Sequence, residues 1–150
     1  MHSKDGIEYL SAIKDLYDNS IVSYYISNKN DNDLVLNTLI KAFENVEYKN
    51  LENLIIHSDQ GHQYTSKMYY SILKTYNIIR SHSNKGNPHD NACIESFFST
   101  FKSECLKQIK GRTKSITKEL TENWIDYYNN ERPQIKLKEL APIEIRNQFS

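Results

Sequence analysis

Leu54-Ile55-Ile56 is a short apolar run that stops abruptly at His57-Ser58-Asp59 and then at Gly61. A run this short, rich in isoleucine and closed by polar residues, predicts a buried strand of a parallel sheet with an acid delivered to its carboxyl end. Thirty-five residues separate Asp59 from Glu95. Glu95 follows a polar turn, Asn87-Pro88-His89-Asp90, and lies in a stretch where Ile94, Phe97, Phe98, Phe101 and Cys105 recur at three- and four-residue steps. That spacing predicts an amphipathic helix, with Glu95 one turn in and beside the apolar stripe. An acid at a strand end and an acid on a helix packed against the sheet are what most constrain this chain.

Carboxylates from different elements that converge on divalent metal are what phosphodiester chemistry requires. Two ions about 3.5–4 Å apart activate the attacking oxygen and steady the leaving one. Asp59 and Glu95 are of the right type for such a clamp. Lys102 lies seven residues beyond Glu95, on the same helical face and about 10 Å along the axis, where its ammonium can hold a DNA phosphate.

Three stretches carry a resemblance: HSDQGHQYTS, SHSNKGNPHDNACIESFFSTFKSE and IDYYNNERPQIKLKELAPIE. They resemble, in order and spacing, the bacterial insertion-sequence transposases with a retroviral-integrase-type core. That family's signature is two Asp and one Glu, the last two thirty-five residues apart. The resemblance covers the chain from about Tyr9 to Ile145 and makes Asp59 the second acid, Glu95 the third and Lys102 the DNA-contacting lysine. It implies an α/β, ribonuclease-H-like fold, a mixed sheet flanked by helices. It also implies Mg²⁺- or Mn²⁺-dependent DNA strand cleavage and strand transfer, on transposon ends and target DNA.

The family's first Asp lies in a Thr-Asp-hydrophobic-Thr context ahead of the segment matched here by YLSAIKDLYD, and no such motif stands before Tyr9. The expectation is therefore an amino-terminally truncated core, lacking the first strand and its carboxylate. Asp15 is a candidate substitute. It would have to reach the site from a neighbouring strand at a different height, and a turn-forming Asp at a strand end is the simpler reading. Two functions of different class follow: an enzyme completed by another acid, or a catalytically inactive product that binds DNA or intact transposase subunits.

The remaining residues read as scaffold. Residues 8–16 and 20–27 predict two β-runs joined at Asp18-Asn19, after a disordered start containing Asp5. Asp31 or Asn32 caps a predicted helix over 33–46, a second helix spans 66–76, and 78–81 form a short last strand. The turn-rich segment 83–88 reads as a loop that borders DNA in the resembling family, with Lys85 a candidate phosphate contact. A helix over 115–129 and a tail complete the chain, giving an integrase-type core over 1–112 and a C-terminal helix and tail over 113–150.

Net charge is zero, but residues 102–118 hold six Lys or Arg against Glu104 alone. A charge run is usually a solvated face; following the acid pair, this one reads equally as a phosphate-binding surface. His57, His62, His82 and His89 with Cys93 fit none of the compact zinc spacings. Cys93 and Cys105 fall on one predicted helix, about 18 Å apart in rise, so they cannot bridge, and a reduced compartment is expected. No signal peptide or membrane span is expected. The predicted setting is the bacterial cytoplasm and nucleoid, with homo-oligomers or intact transposase subunits as protein partners.

Overall fold

The computed structural model describes residues 1–44, 54–82, 91–108 and 110–148. An antiparallel hairpin forms its centre: β3 (Tyr9–Lys14) pairs with β4 (Ile21–Ser27) in the register Tyr9↔Ser27 and Ala12↔Tyr24. Alternation along β3 sends Leu10 and Ala12 to one apolar cluster and Ile13 to another, as a two-sided strand requires. The predicted run to Leu16 stops two residues early. Asp15 Oδ1 accepts from the Tyr17 amide and Asp18 Oδ1 from the Ser20 amide, both at 2.8 Å. These side chains capture backbone donors that a longer strand pair would have used.

One side of the hairpin carries α1 (Asn32–Glu44), whose first turn is capped by Asp31 Oδ1 accepting from the Leu34 amide at 3.2 Å. Ser23 Oγ donates to the Thr38 carbonyl at 2.8 Å and ties helix to strand. Beyond 45–53 comes β5 (Ile55–Ser58), parallel to β6 (Ile79–His82) in the register Ile55↔Ile79 to Ser58↔His82. Between them lie a 3₁₀ turn, His62–Thr65, and α2 (Lys67–Thr75), capped by Ser66 Oγ accepting from the Tyr69 amide. Val35, Leu36, Leu39, Tyr69, Leu73 and Ile78 form one core cluster, with Ile13, Leu54 and Ile56 packed against it.

The second cluster lies on the other side of the hairpin. Here α3 (Ala92–Phe101) runs into a single π-helical turn, Lys102–Leu106, closed by the Lys107 amide on the Lys102 carbonyl at 3.1 Å. The predicted stripe thus continues through Cys105, but not as unbroken α-helix. Facing it is α4 (Lys114–Asn130), capped by Thr113. Phe97, Phe101, Cys105, Trp124, Ile125 and Tyr128 pack with Ile21 of β4. Asn129 pairs with Ile21 like a strand peptide, accepting from its amide at 2.8 Å and donating to its carbonyl at 3.0 Å.

β5 is parallel-paired as expected but is not the buried strand expected, since Ile55 of β5 and Ile79 of β6 are exposed and only one face packs on the core. Two further elements differ from the sequence reading. The first residues are ordered as a small hairpin, β1 (His2–Ser3) with β2 (Gly6–Ile7). It is anchored far along the chain: Lys4 donates to the Arg112 carbonyl, Asp5 Oδ1 accepts from the Lys114 amide, and Ser3 Oγ lies 2.8 Å from Thr117 Oγ1. The tail closes with α5 (Pro142–Gln148), whose Arg146 binds the buried Asp18 carboxylate at 2.7 Å and Ser20 Oγ at 3.0 Å. Both depend on partners more than a hundred positions away. Among the described residues the strands form three two-stranded pairs, two antiparallel and one parallel. Among the described residues no helix is long and apolar enough to cross a membrane.

Phe97 is 1% exposed and meets Phe98, Phe101, Trp124 and Tyr128. Phe97→Ala is expected to cost about 3–5 kcal/mol, read as a lower midpoint in urea unfolding. A second expectation concerns acid. Arg132 donates to both oxygens of Glu104, at 2.8 and 2.6 Å, and these bonds hold the Glu104 carboxyl below its usual range despite opposing burial. A depressed carboxyl contributes stability that is present above the ordinary glutamate pKa and lost as pH falls through its folded value. Glu104→Gln should therefore flatten the acid limb of a stability–pH profile.

Candidate active site

Asp59 is the first residue beyond β5, at the strand's carboxyl end, and is exposed. Its Oδ1 accepts from the Gly61 amide at 2.7 Å, the local turn that Asp-x-Gly favours. A Cβ on Gly61 would lie 2.8 Å from that oxygen, so glycine leaves the carboxylate room to fold back. Gly61 needs no special φ, and space rather than backbone freedom is its contribution. The charge of Asp59 reaches Tyr64, whose phenol is raised first by burial and then by this neighbour.

His82 closes β6 opposite Ser58, one residue before the acid in register. Arg80 Nε and Nη2 both lie 3.3 Å from His82 Nδ1. A guanidinium only donates, so Nδ1 is the acceptor and the ring proton belongs on Nε2. Burial, then the Arg80 charge, pushes the imidazole below its ordinary value, while a hydrogen bond with the Asp59 backbone opposes them. The Arg80 guanidinium also stacks 3.8 Å above the Tyr70 ring. A neutral histidine thus braces the backbone that carries Asp59. Sequence reasoning weighed the histidines as zinc ligands and as supports beside metal-bound carboxylates, without singling out His82; the register that sets it opposite Ser58 is visible only in the fold.

Glu95 lies in the first turn of α3, where the helix dipole favours negative charge. It is exposed, while Phe97 and Phe101 are buried. Lys102 is also exposed and begins the π-helical turn, so the path from Glu95 to Lys102 is α-helical. Among the described residues neither Asp59 nor Glu95 forms an ion pair. Their oxygens are the hard donors that Mg²⁺ and Mn²⁺ take. No group of three His, Cys, Asp or Glu among the described residues could hold a metal ion.

Asp15 is engaged elsewhere: its carboxylate accepts from the Tyr17 amide and lies 3.8 Å from Arg146 of α5. Its neighbour Lys14 reaches α3 instead, donating to the Cys93 carbonyl at 3.4 Å. Burial chiefly, and the nearby cation of Lys136, lower the Lys14 amine below its ordinary value. Lys14 therefore ties the end of β3 to the first turn of α3. Sequence reasoning missed Lys14, because only tertiary contact brings it there. Lys85, His89 and the loop 83–88 lie outside the described residues.

The integrase core domain family matches residues 1–88 and, in a second version, residues 76–142. The chain belongs to the integrase core family. It is 43% identical over 140 residues to the transposase InsK of insertion sequence element IS150 from Escherichia coli (strain K12), covering 93% of this chain and 49% of that protein. The chain thus spans about half the length of this curated relative. Among solved structures, a chain of the simian T-cell lymphotropic virus intasome in complex with PP2A regulatory subunit B56 gamma superposes with a TM-score of 0.81. That match has 13% identity and covers 95% of this chain and 49% of that one. The HTLV-2 integrase catalytic core, solved with magnesium in a dimeric form, gives 0.61 at 13% identity, over 97% of this chain and 88% of that one. These likenesses establish the ribonuclease-H-like integrase fold that the sequence motifs implied.

The glycine after Asp59 supplies a direct check. Gly61→Ala is expected to shift the Asp59 carboxyl ¹³C resonance while leaving stability within about 0.5 kcal/mol of the parent. An unmoved resonance would mean that the new methyl displaces something other than the carboxylate.

Proposed function

We propose that this chain is the catalytic-core portion of an insertion-sequence transposase, acting in DNA cleavage and strand transfer. The observation that carries this reading is the pair of exposed carboxylates outside any described ion pair. Asp59 stands at a strand's carboxyl end and Glu95 in the first turn of a core-packed helix, thirty-five residues apart. In the proposal Asp59 and Glu95 hold Mg²⁺ or Mn²⁺, and bound metal supplies activation of the attacking hydroxyl and stabilisation of the leaving oxygen. Gly61 and His82 keep the Asp59 segment in place. Lys102 holds a DNA phosphate two turns from Glu95, and Lys85 is assigned a second phosphate contact.

The remaining parts of the reading are of the same standing. Residues 1–112 act as the integrase-type core and 113–150 as its C-terminal helix and tail. The partners are transposon-end and target DNA and further transposase subunits, in the bacterial cytoplasm and nucleoid. One observation favours a binding-only role for these 150 residues: the candidate substitute acid Asp15 is already committed to Tyr17 and Arg146.

The test is Mn²⁺ binding by calorimetry together with Mn²⁺-dependent strand transfer on labelled element-end DNA, using the 150-residue chain. Asp59→Asn and Glu95→Gln are each expected to weaken Mn²⁺ binding by about tenfold or more, and to remove any strand transfer the parent performs. Binding that survives both substitutions unchanged would sink the assignment of these two acids. A parent that binds DNA but transfers no strand supports the binding-only role.

A further inference from the structure

Among the described residues, Ile135 is the most exposed large apolar side chain, at 92%. Chance exposure on a loose loop does not describe it, because the segment around it is held firmly. Gln134 bridges Leu140, donating to its carbonyl at 3.1 Å, and the Gln134 carbonyl accepts from both Leu137 and Glu139. Leu137 is buried beneath the turn as its anchor. Lys138 and Glu139 both adopt left-handed backbone, φ 56° and 66°, a conformation that non-glycine residues reach only at an energetic cost. The 3₁₀ turn Ile135–Leu137 therefore projects one apolar side chain from a rigid base.

Two exposed cations follow it, Lys136 and Lys138, with the exposed Glu139 beyond them. Among the described residues neither lysine enters an ion pair. The other prominent apolar tip has no such lysines beside it: Leu16 and Tyr17, at 67% and 63% exposure, lie between Asp15 and Asp18, both paired with Arg146. Exposed lysines outside any described ion pair attract a polyanion, whereas carboxylates already paired with an arginine do not. Apolar side chains flanked by basic residues are what proteins press between base steps of duplex DNA.

We propose that Ile135 is an apolar wedge that enters the base stack of duplex DNA, while Lys136 and Lys138 hold the adjoining phosphates. This rests on the reading of the chain as a DNA-handling domain. The occupant is duplex DNA, chosen over a second protein copy by the lysine rim.

The experiment uses the full 150-residue chain and a short duplex carrying 2-aminopurine at its pyrimidine–purine steps, which kink most easily. Binding is read by anisotropy over a salt series, and unstacking by 2-aminopurine fluorescence at saturation. Ile135→Ser, a surface change whose folding is checked by circular dichroism, is expected to weaken binding about tenfold and to abolish the fluorescence rise. Lys136→Ala is expected to lower the salt slope by about one and to keep the rise at saturation. A rise unchanged in Ile135→Ser overturns the wedge and leaves the DNA reading standing. Absence of salt-dependent binding by the parent overturns both. Loss of self-association in Ile135→Ser by sedimentation, with DNA binding and unstacking intact, overturns the wedge in favour of a second copy.

Discussion

Stacked, edge-on and tilted packing among Phe97, Phe101, Trp124 and Tyr128, with ring centroids 5.2–6.4 Å apart, fixes α3 against α4 and both against the hairpin. Aromatic side chains of this size bury much apolar area and accept few alternative arrangements. The direction in which Glu95 and Lys102 project follows from which face of α3 those rings occupy. α4 is therefore a wall of the core rather than an appendage, and its Asn129 completes the start of β4 with two hydrogen bonds. The tail extends the same logic. Arg146 of α5 neutralises the buried Asp18, and burial of an aspartate without such a partner would be costly.

How much of this was legible in the chain depends on how local the cause was. The stripe of α1, the break after Ile56 and the Ser66 cap are written in neighbouring residues, and each element forms within two or three positions of its expected bounds. The acids at Asp59 and Glu95 were legible for the same reason, since strand-end and first-turn positions follow from local pattern. What stayed hidden was tertiary. The opening hairpin is held by Arg112, Lys114 and Thr117, and no feature of residues 1–7 announces those partners. The Lys14 contact with α3, the Arg80–His82 brace and the Arg146 clamp are equally non-local. The Asp59–Gly61 turn is different: Asp-x-Gly was readable as a side-chain-capped turn, and its meaning for the carboxylate is clear only with the distance in hand.

Charge is placed unevenly around the candidate site. On the β5–β6 side, Arg80 is spent on a histidine and a tyrosine face. On the α3 side, Arg132 is spent on Glu104, and Lys14 on a carbonyl. Lys102, Lys136 and Lys138 project into solvent. The cations with structural duties and those left to solvent thus form separate sets.

The π-helical turn at Lys102–Leu106 makes chain length itself a constraint. Such a turn accommodates one more residue than an α-helical turn does. A chain one residue shorter there would close as α-helix and leave the later side chains near their present directions, because the π-helical turn already holds the extra residue. A chain one residue longer would instead rotate every later side chain by about 100°. Cys105 would leave the core it shares with Trp124, and Glu104 would turn away from Arg132. Insertions over the course of descent should therefore be excluded from these five positions, whereas loss of one residue is absorbed, even though two of them, Lys102 and Ser103, face open water.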